Sequence, residues 1–153
     1  MNMRTYKIIH IKKEYQSFVI GREKMLHELL FDESHFVTEE PEELKFVCES
    51  LNTKNMKECI QERLQRVFTN MTLNQDHIFF EHPVKGSIEM SFSPYYLHVS
   101  CEGSQMLDLD LFAGLSDTCD CYLAFQQEQN VFGWLKPIKI DSLHSFSEIL
   151  DFV

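Results

Sequence analysis

Across residues 12–31 the apolar side chains fall at Tyr15, Phe18, Val19, Met25, Leu26, Leu29 and Leu30. That spacing predicts one helix. Gly21 stands in its middle, in the segment Gly21-Arg22-Glu23. A glycine in a helix interior costs about 1 kcal/mol relative to alanine. A fold built on this stretch must offset that cost, or the helix bends or breaks there. The two halves also differ in character. Residues 25–30 carry enough apolar surface to anchor a core. The first half carries Tyr15, Phe18, Val19 and Ile20 beside Lys12, Lys13, Glu14 and Gln16. It either buries its apolar residues or offers some of them, polar-rimmed, to a partner helix.

The rest of the chain sets the frame around that segment. At 153 residues the expectation is a single domain, 1–153, with one core. Residues 5–11 are β-rich and predict a central strand. After an acidic connection over 32–40, Pro41 suits the first turn of a new helix. Glu42 and Glu43 complement its dipole, and Leu44, Val47, Cys48 and Leu51 line one face. Asn55 with Glu58 resembles a capping box. It opens a helix whose stripe runs through Met56, Cys59, Ile60, Leu64, Val67, Phe68 and Met71. Beyond Thr72, strands are predicted over 77–81, 87–92 and 95–101, the last two forming a hairpin around Ser93-Pro94. A short helix follows through Met106, Leu107, Leu109, Leu111, Phe112 and Leu115, with Asp108 and Asp110 on its solvated side. Further strands are expected over 121–126 and 132–135, and a final helix over 142–152. The fold class is α+β: a mainly antiparallel sheet packed with several helices, the N-terminal half helix-rich.

Charge and cysteines narrow the function classes. The formal net charge is −10, with acids concentrated over 32–43 and 102–128. Such a surface repels phosphate backbones, so no direct nucleic-acid partner is expected. No apolar run approaches the roughly 18 residues of a membrane span, so no membrane partner is expected either. The five cysteines, Cys48, Cys59, Cys101, Cys119 and Cys121, are odd in number, and Met1-Asn2-Met3-Arg4 leads straight into a strand. A cytoplasmic protein with reduced thiols is the expectation.

Catalytic and metal patterns are weak. Cys119 and Cys121 share a strand face, yet no second Cys/His cluster completes a four-ligand zinc site. His77 and His82, five apart, face opposite sides of a strand. His98 and Cys101, three apart, also point oppositely, so no base attends that thiol. Neither a glycine-rich phosphate loop nor a Gly-x-Ser-x-Gly elbow occurs. The reading is no enzyme, no metal and no cofactor. The rival is a small enzyme or metal protein using Cys119, Cys121 or His98, and a third reading is an interaction domain with a different protein partner.

Three segments in order then resemble a known family. Ile11-Lys12-Lys13-Glu14-Tyr15, Gly21-Arg22-Glu23 and Glu28-Leu29 are similar to the N-terminal helix of the SirA family, sporulation inhibitors of replication from Bacillus-type Firmicutes. Cys121-Tyr122-Leu123-Ala124-Phe125 and Gly133-Trp134-Leu135-Lys136-Pro137-Ile138-Lys139 resemble that family's closing strand and its Gly-Trp-Leu-x-Pro-x-Lys signature, and Lys85-Gly86 also fits. The resemblance spans 6–139. It implies a non-enzymatic protein that binds the N-terminal domain of the replication initiator DnaA and blocks initiation. The implied complex is a heterodimer formed by a monomer, helix against helix, through the helices matched by 12–20 and 42–51. By position the implied contacts are Tyr15 and Val19 on the first helix, and Glu43 and Val47 on the second. Val19 stands where the family has an aromatic, so that contact is smaller here or is made by Phe18. Glu43 stands where the family has an uncharged polar residue. Trp134 and Pro137 read as packing and turn elements.

Overall fold

The computed structural model describes residues 3–31, 42–68, 70–74, 76–118, 121–126 and 128–135. Seven strands form one fully antiparallel sheet: β1 (Met3–His10), β2 (Asn70–Leu73), β3 (His77–His82), β4 (Gly86–Phe92), β5 (Tyr96–Gly103), β6 (Tyr122–Gln126) and β7 (Val131–Trp134), ordered β2-β3-β4-β5-β1-β6-β7. Among the described residues five α-helices accompany it: α1 (Gln16–Val19), α2 (Glu23–Phe31), α3 (Glu42–Val47), α4 (Thr53–Leu64) and α5 (Met106–Ser116). This is the α+β class that the pattern predicts.

The first strand is interior, as its composition requires. Ile8 pairs with Leu97 of β5 on one side and Ala124 of β6 on the other. Tyr6, Ile8, Ile9 and Ile11 are fully buried, because both faces of the sheet are covered here. On one face α5 lies against the sheet, with the Phe112 ring edge-on to Tyr6 at 5.1 Å between centroids, and α4 packs behind it. On the other, α2 sets His27 over Phe125 at 4.7 Å. The β4–β5 hairpin runs as expected, Phe92 pairing with Leu97. Gly86 faces Gly103 at its far end, where a Cβ on Gly86 would sit 1.9 Å from the Glu102 carbonyl oxygen.

Several expectations change. Residues 12–31 are not one helix. A 3-10 turn (Lys13–Tyr15) leads into α1, Ile20 is extended, and Gly21 takes φ +90, so the chain breaks before α2. No atom lies within 4 Å of a Cβ built on Gly21, so the backbone conformation, not space, calls for glycine. Residues 25–30 are not wholly core: Leu26 and Leu30 are buried, but Met25 and Leu29 are exposed. The α4 cap is Asn52, whose side chain accepts from the Asn55 N–H at 3.2 Å. Asn52 takes the role because the helix begins at Thr53, two residues before Asn55. The helix stops at Leu64, although Val67 and Phe68 beyond it still pack on the core, and Met71 belongs to the unpredicted edge strand β2.

Asp108 is the largest departure. It is fully buried rather than solvated. The Arg4 guanidinium donates Nε and Nη2 to its two oxygens at 2.8 and 2.9 Å, and the Tyr6 hydroxyl donates to it as well. Arg4 also reaches the Gly103 and Ser104 carbonyls. A buried carboxylate is tolerated when paired this fully, and the cluster ties β1 to β5 and α5. The expected 32–40 connection, Pro41, Cys119, Pro137 and the 142–152 helix lie outside the described residues.

Candidate partner-binding face

The chain leaving β1 is stitched to the end of α3. Ile11 bridges Cys48, the Lys12 N–H donates to the Val47 carbonyl at 2.9 Å, and the Glu49 N–H returns to the His10 carbonyl at 2.8 Å. These bonds fix the 3-10 turn and α1 beside α3. The Tyr15 ring then meets Phe46 at 5.2 Å between centroids, and the Lys12 ammonium lies 6.0 Å from the same ring. Between the elements opens a groove of about 640 Å³ lined by Lys12, Phe18, Leu29, Glu42, Glu43, Lys45, Phe46 and Val47.

The groove is apolar at its centre and mixed in charge at its rim. Phe18 is 56% exposed, Leu29 47% and Phe46 62%. Met25, one turn before Leu29 on α2, extends the apolar surface. Lys12 and Lys45 oppose Glu42 and Glu43 around it. Three large apolar side chains left in water around one concavity are costly, and such patches mark interaction sites.

The residues singled out from sequence divide three ways. Phe18, Glu43 and Val47 line the groove, and Tyr15 stands beside it, half-buried and packed on the core. Val19 does not reach it. At 1% exposure it belongs to the core, because α1 is a single turn that must bury one side to hold its place. Two residues escaped the sequence reading. Phe46 falls off the Leu44/Val47/Cys48/Leu51 stripe, and an aromatic on the acidic side of a helix was the available signal. Leu29 reads as core by spacing alone, and only the break at Gly21 turns it outward.

A clasp built from Gly21-Arg22-Glu23 ends α1 and begins α2. The Arg22 N–H donates to the Val19 carbonyl at 2.8 Å and its Nη1 to the Phe18 carbonyl at 2.7 Å. Its guanidinium lies 4.6 Å from the centre of the Phe18 ring. The Glu23 carboxylate is buried. One oxygen accepts from the Gly21 N–H at 2.8 Å and the other from the Trp134 indole at 3.1 Å. Trp134, the lone tryptophan, is fully buried, so the clasp is fastened to the core.

Of the residues of the rival chemistry, Cys119 lies outside the described residues, and His98 and Cys101 do not converge. His98 pairs with Lys7 and Cys101 with Arg4, on opposite faces of the sheet. Burial holds His98 below the ordinary histidine range. Cys101 is buried, and burial with Asp108 beside it pushes its thiol well up, the reverse of what activates a nucleophile. Cys121 is buried. Among the described residues no group of three or more His, Cys, Asp or Glu is placed to hold a metal ion, and no helix is long and apolar enough to cross a membrane.

Comparison with known proteins agrees with the resemblance. The model of the family described as sporulation inhibitor of replication protein SirA matches residues 4–139. No match is found among curated proteins. The chain belongs to the SirA family.

Proposed function

From membership of that family, we propose that the protein inhibits replication initiation by binding the N-terminal domain of DnaA and occluding a helical face of it. The carrying observation is the groove between α1, α2 and α3, where Phe18, Leu29 and Phe46 stand exposed together. An amphipathic helix laid into this groove would cover all three and pair its own charges with Lys12, Lys45, Glu42 and Glu43. The mechanism is steric: the bound helix is withdrawn from its other users, and no bond is made or broken. One protein binds one DnaA domain, in the cytoplasm. Tyr15 and Val47 form the flanks of the contact, Glu43 its rim, and Val19 supports it from beneath.

Calorimetric titration of the DnaA N-terminal domain into the full chain tests this. Saturable one-to-one binding is expected. Phe18→Ala should weaken it at least tenfold, as for a central anchor worth about 2 kcal/mol, with the melting temperature nearly unchanged. Absence of binding by the wild-type protein overturns the partner. Equal binding by wild type and variant overturns the face. Stoichiometric zinc surviving dialysis would instead favour a metal protein.

A further inference from the structure

We propose that Arg22 is a positioning residue for the partner-binding face, holding Phe18 in its binding orientation before the partner arrives. The inference rests on the docking reading above. Phe18 sits on α1, a single helical turn of four residues. A turn that short has no stability of its own, and its last carbonyls lack helical partners. Arg22 supplies two of them, through its own N–H to Val19 and its Nη1 to Phe18. The same guanidinium covers the Phe18 ring at 4.6 Å. One side chain therefore fixes both the backbone and the ring of an exposed aromatic.

Arg22 is itself fixed. Gly21 at φ +90 turns the chain so that the arginine points back along α1. Glu23 pins that turn by accepting from the Gly21 N–H on one oxygen and the buried Trp134 indole on the other. The three residues form a chain of supports from the core to the groove: Trp134 to Glu23, Glu23 to Gly21, Arg22 to Phe18. An aromatic held in its bound orientation loses less freedom on association. Lysine cannot replace the arginine fully, because it has no planar face to stack and no forked donors.

A double-mutant cycle with the DnaA N-terminal domain, read by calorimetry, tests the assignment. Arg22→Ala should weaken binding about three- to fivefold, the scale of an exposed cation–π contact. Arg22→Lys should recover part of the loss. In a Phe18→Ala background, Arg22→Ala should change affinity by less than about 1.5-fold, since its ring is gone. The same fold-loss in both backgrounds would mean that Arg22 touches the partner directly, and would overturn the positioning role. If Phe18→Ala leaves affinity unchanged, the docking reading fails instead. The clasp is then judged in the free protein by NMR. The Arg22 Nε–H should be ordered on the picosecond–nanosecond scale in wild type and lose part of that order in Phe18→Ala, where the bond to the residue-18 carbonyl remains but the ring is gone. A mobile Nε–H in wild type overturns the proposal whatever the binding shows.

Discussion

Phe46→Ala separates binding from folding most cleanly. Phe46 is 62% exposed. Its folded-state neighbours include the Tyr15 ring at 5.2 Å and the Lys12 ammonium, 6.0 Å from the ring centre. Losing an aromatic contact this open costs about 0.5 kcal/mol, the low end for ring pairs, and about 1–2 °C in melting temperature for a chain of this size. The docked state is different. Burying the exposed share of the ring removes about 120 Å² from water, taking about 200 Å² for a whole Phe side chain. At about 25 cal/mol per Å² that is about 3 kcal/mol. Fixing the side chain takes back about 1 kcal/mol, leaving about 2 kcal/mol, or about thirtyfold in Kd. The assay pairs calorimetric titration of the DnaA N-terminal domain with thermal unfolding of the same preparation. Val19→Ala is the control. With its side chain in the core it should cost about 2 kcal/mol of stability through lost methyl burial and a small cavity, with little change in affinity per folded molecule. A Phe46→Ala protein that binds within about threefold of wild type refutes the groove as the docking site. One that melts many degrees lower shows that Phe46 belongs to the core.

Two further outcomes test the framework behind the groove. Glu23→Gln keeps the shape but leaves one of the two donors, Gly21 N–H or Trp134 indole, facing an amide NH₂. The expected cost is about 2–3 kcal/mol in urea unfolding, the range for a hydrogen bond to a charged group plus an orphaned donor, with a shifted indole proton resonance. Stability within about 0.5 kcal/mol of wild type would show that the clasp bears no load. Acid sensitivity is the second. Burial lowers His10, His27 and His98 below the ordinary histidine value of 6.5, with Lys7 adding to the effect on the last two. Between that value and the lower folded ones, the unfolded chain binds more protons, so stability rises with pH there. It should be complete above pH 6.5 and decline as the pH falls below it. A urea midpoint that is flat between pH 7.5 and 5.5 contradicts this.

The sheet was legible because its strands are regular. The β-rich composition of residues 5–11, and the Ser93-Pro94 turn between two apolar runs, predict a central strand and a hairpin. The helices were legible in type but not in facing. Leu26 and Leu30 go to the core while Met25 and Leu29, in the same apolar stripe, face water. Periodicity shows only that a side is apolar, and cannot say what covers it. Asp108 was misread for the same reason: between Leu107 and Leu109 it looks solvated, and the donors that make its burial tolerable, Arg4 and Tyr6, lie 104 and 102 residues away. Such long-range pairing leaves no local trace. Edge strand β2 was absorbed into the α4 stripe because Met71 continues the helical spacing past Leu64.

The candidate site follows from one of these failures of local reading. An unbroken helix over 12–31 would carry Phe18 and Leu29 eleven residues apart, about 16 Å along one axis at 1.5 Å per residue. They could not line one concavity. The break at Gly21 redirects the chain between α1 and α2 so that Phe18 and Leu29 line one groove, and the bonds from Lys12 to Val47 and from Glu49 to His10 bring α3 alongside. The glycine that counts against a continuous helix is therefore what allows three short elements to meet. Gly21 supplies the positive φ, Glu23 ties it to Trp134, and Arg22 turns the result toward Phe18. On this argument the Gly-Arg-Glu segment and the Gly-Trp segment, 110 residues downstream, act as one structural unit. Trp134→Phe, which removes only the indole donor, should then disturb the Phe18 end of the groove without any contact to it.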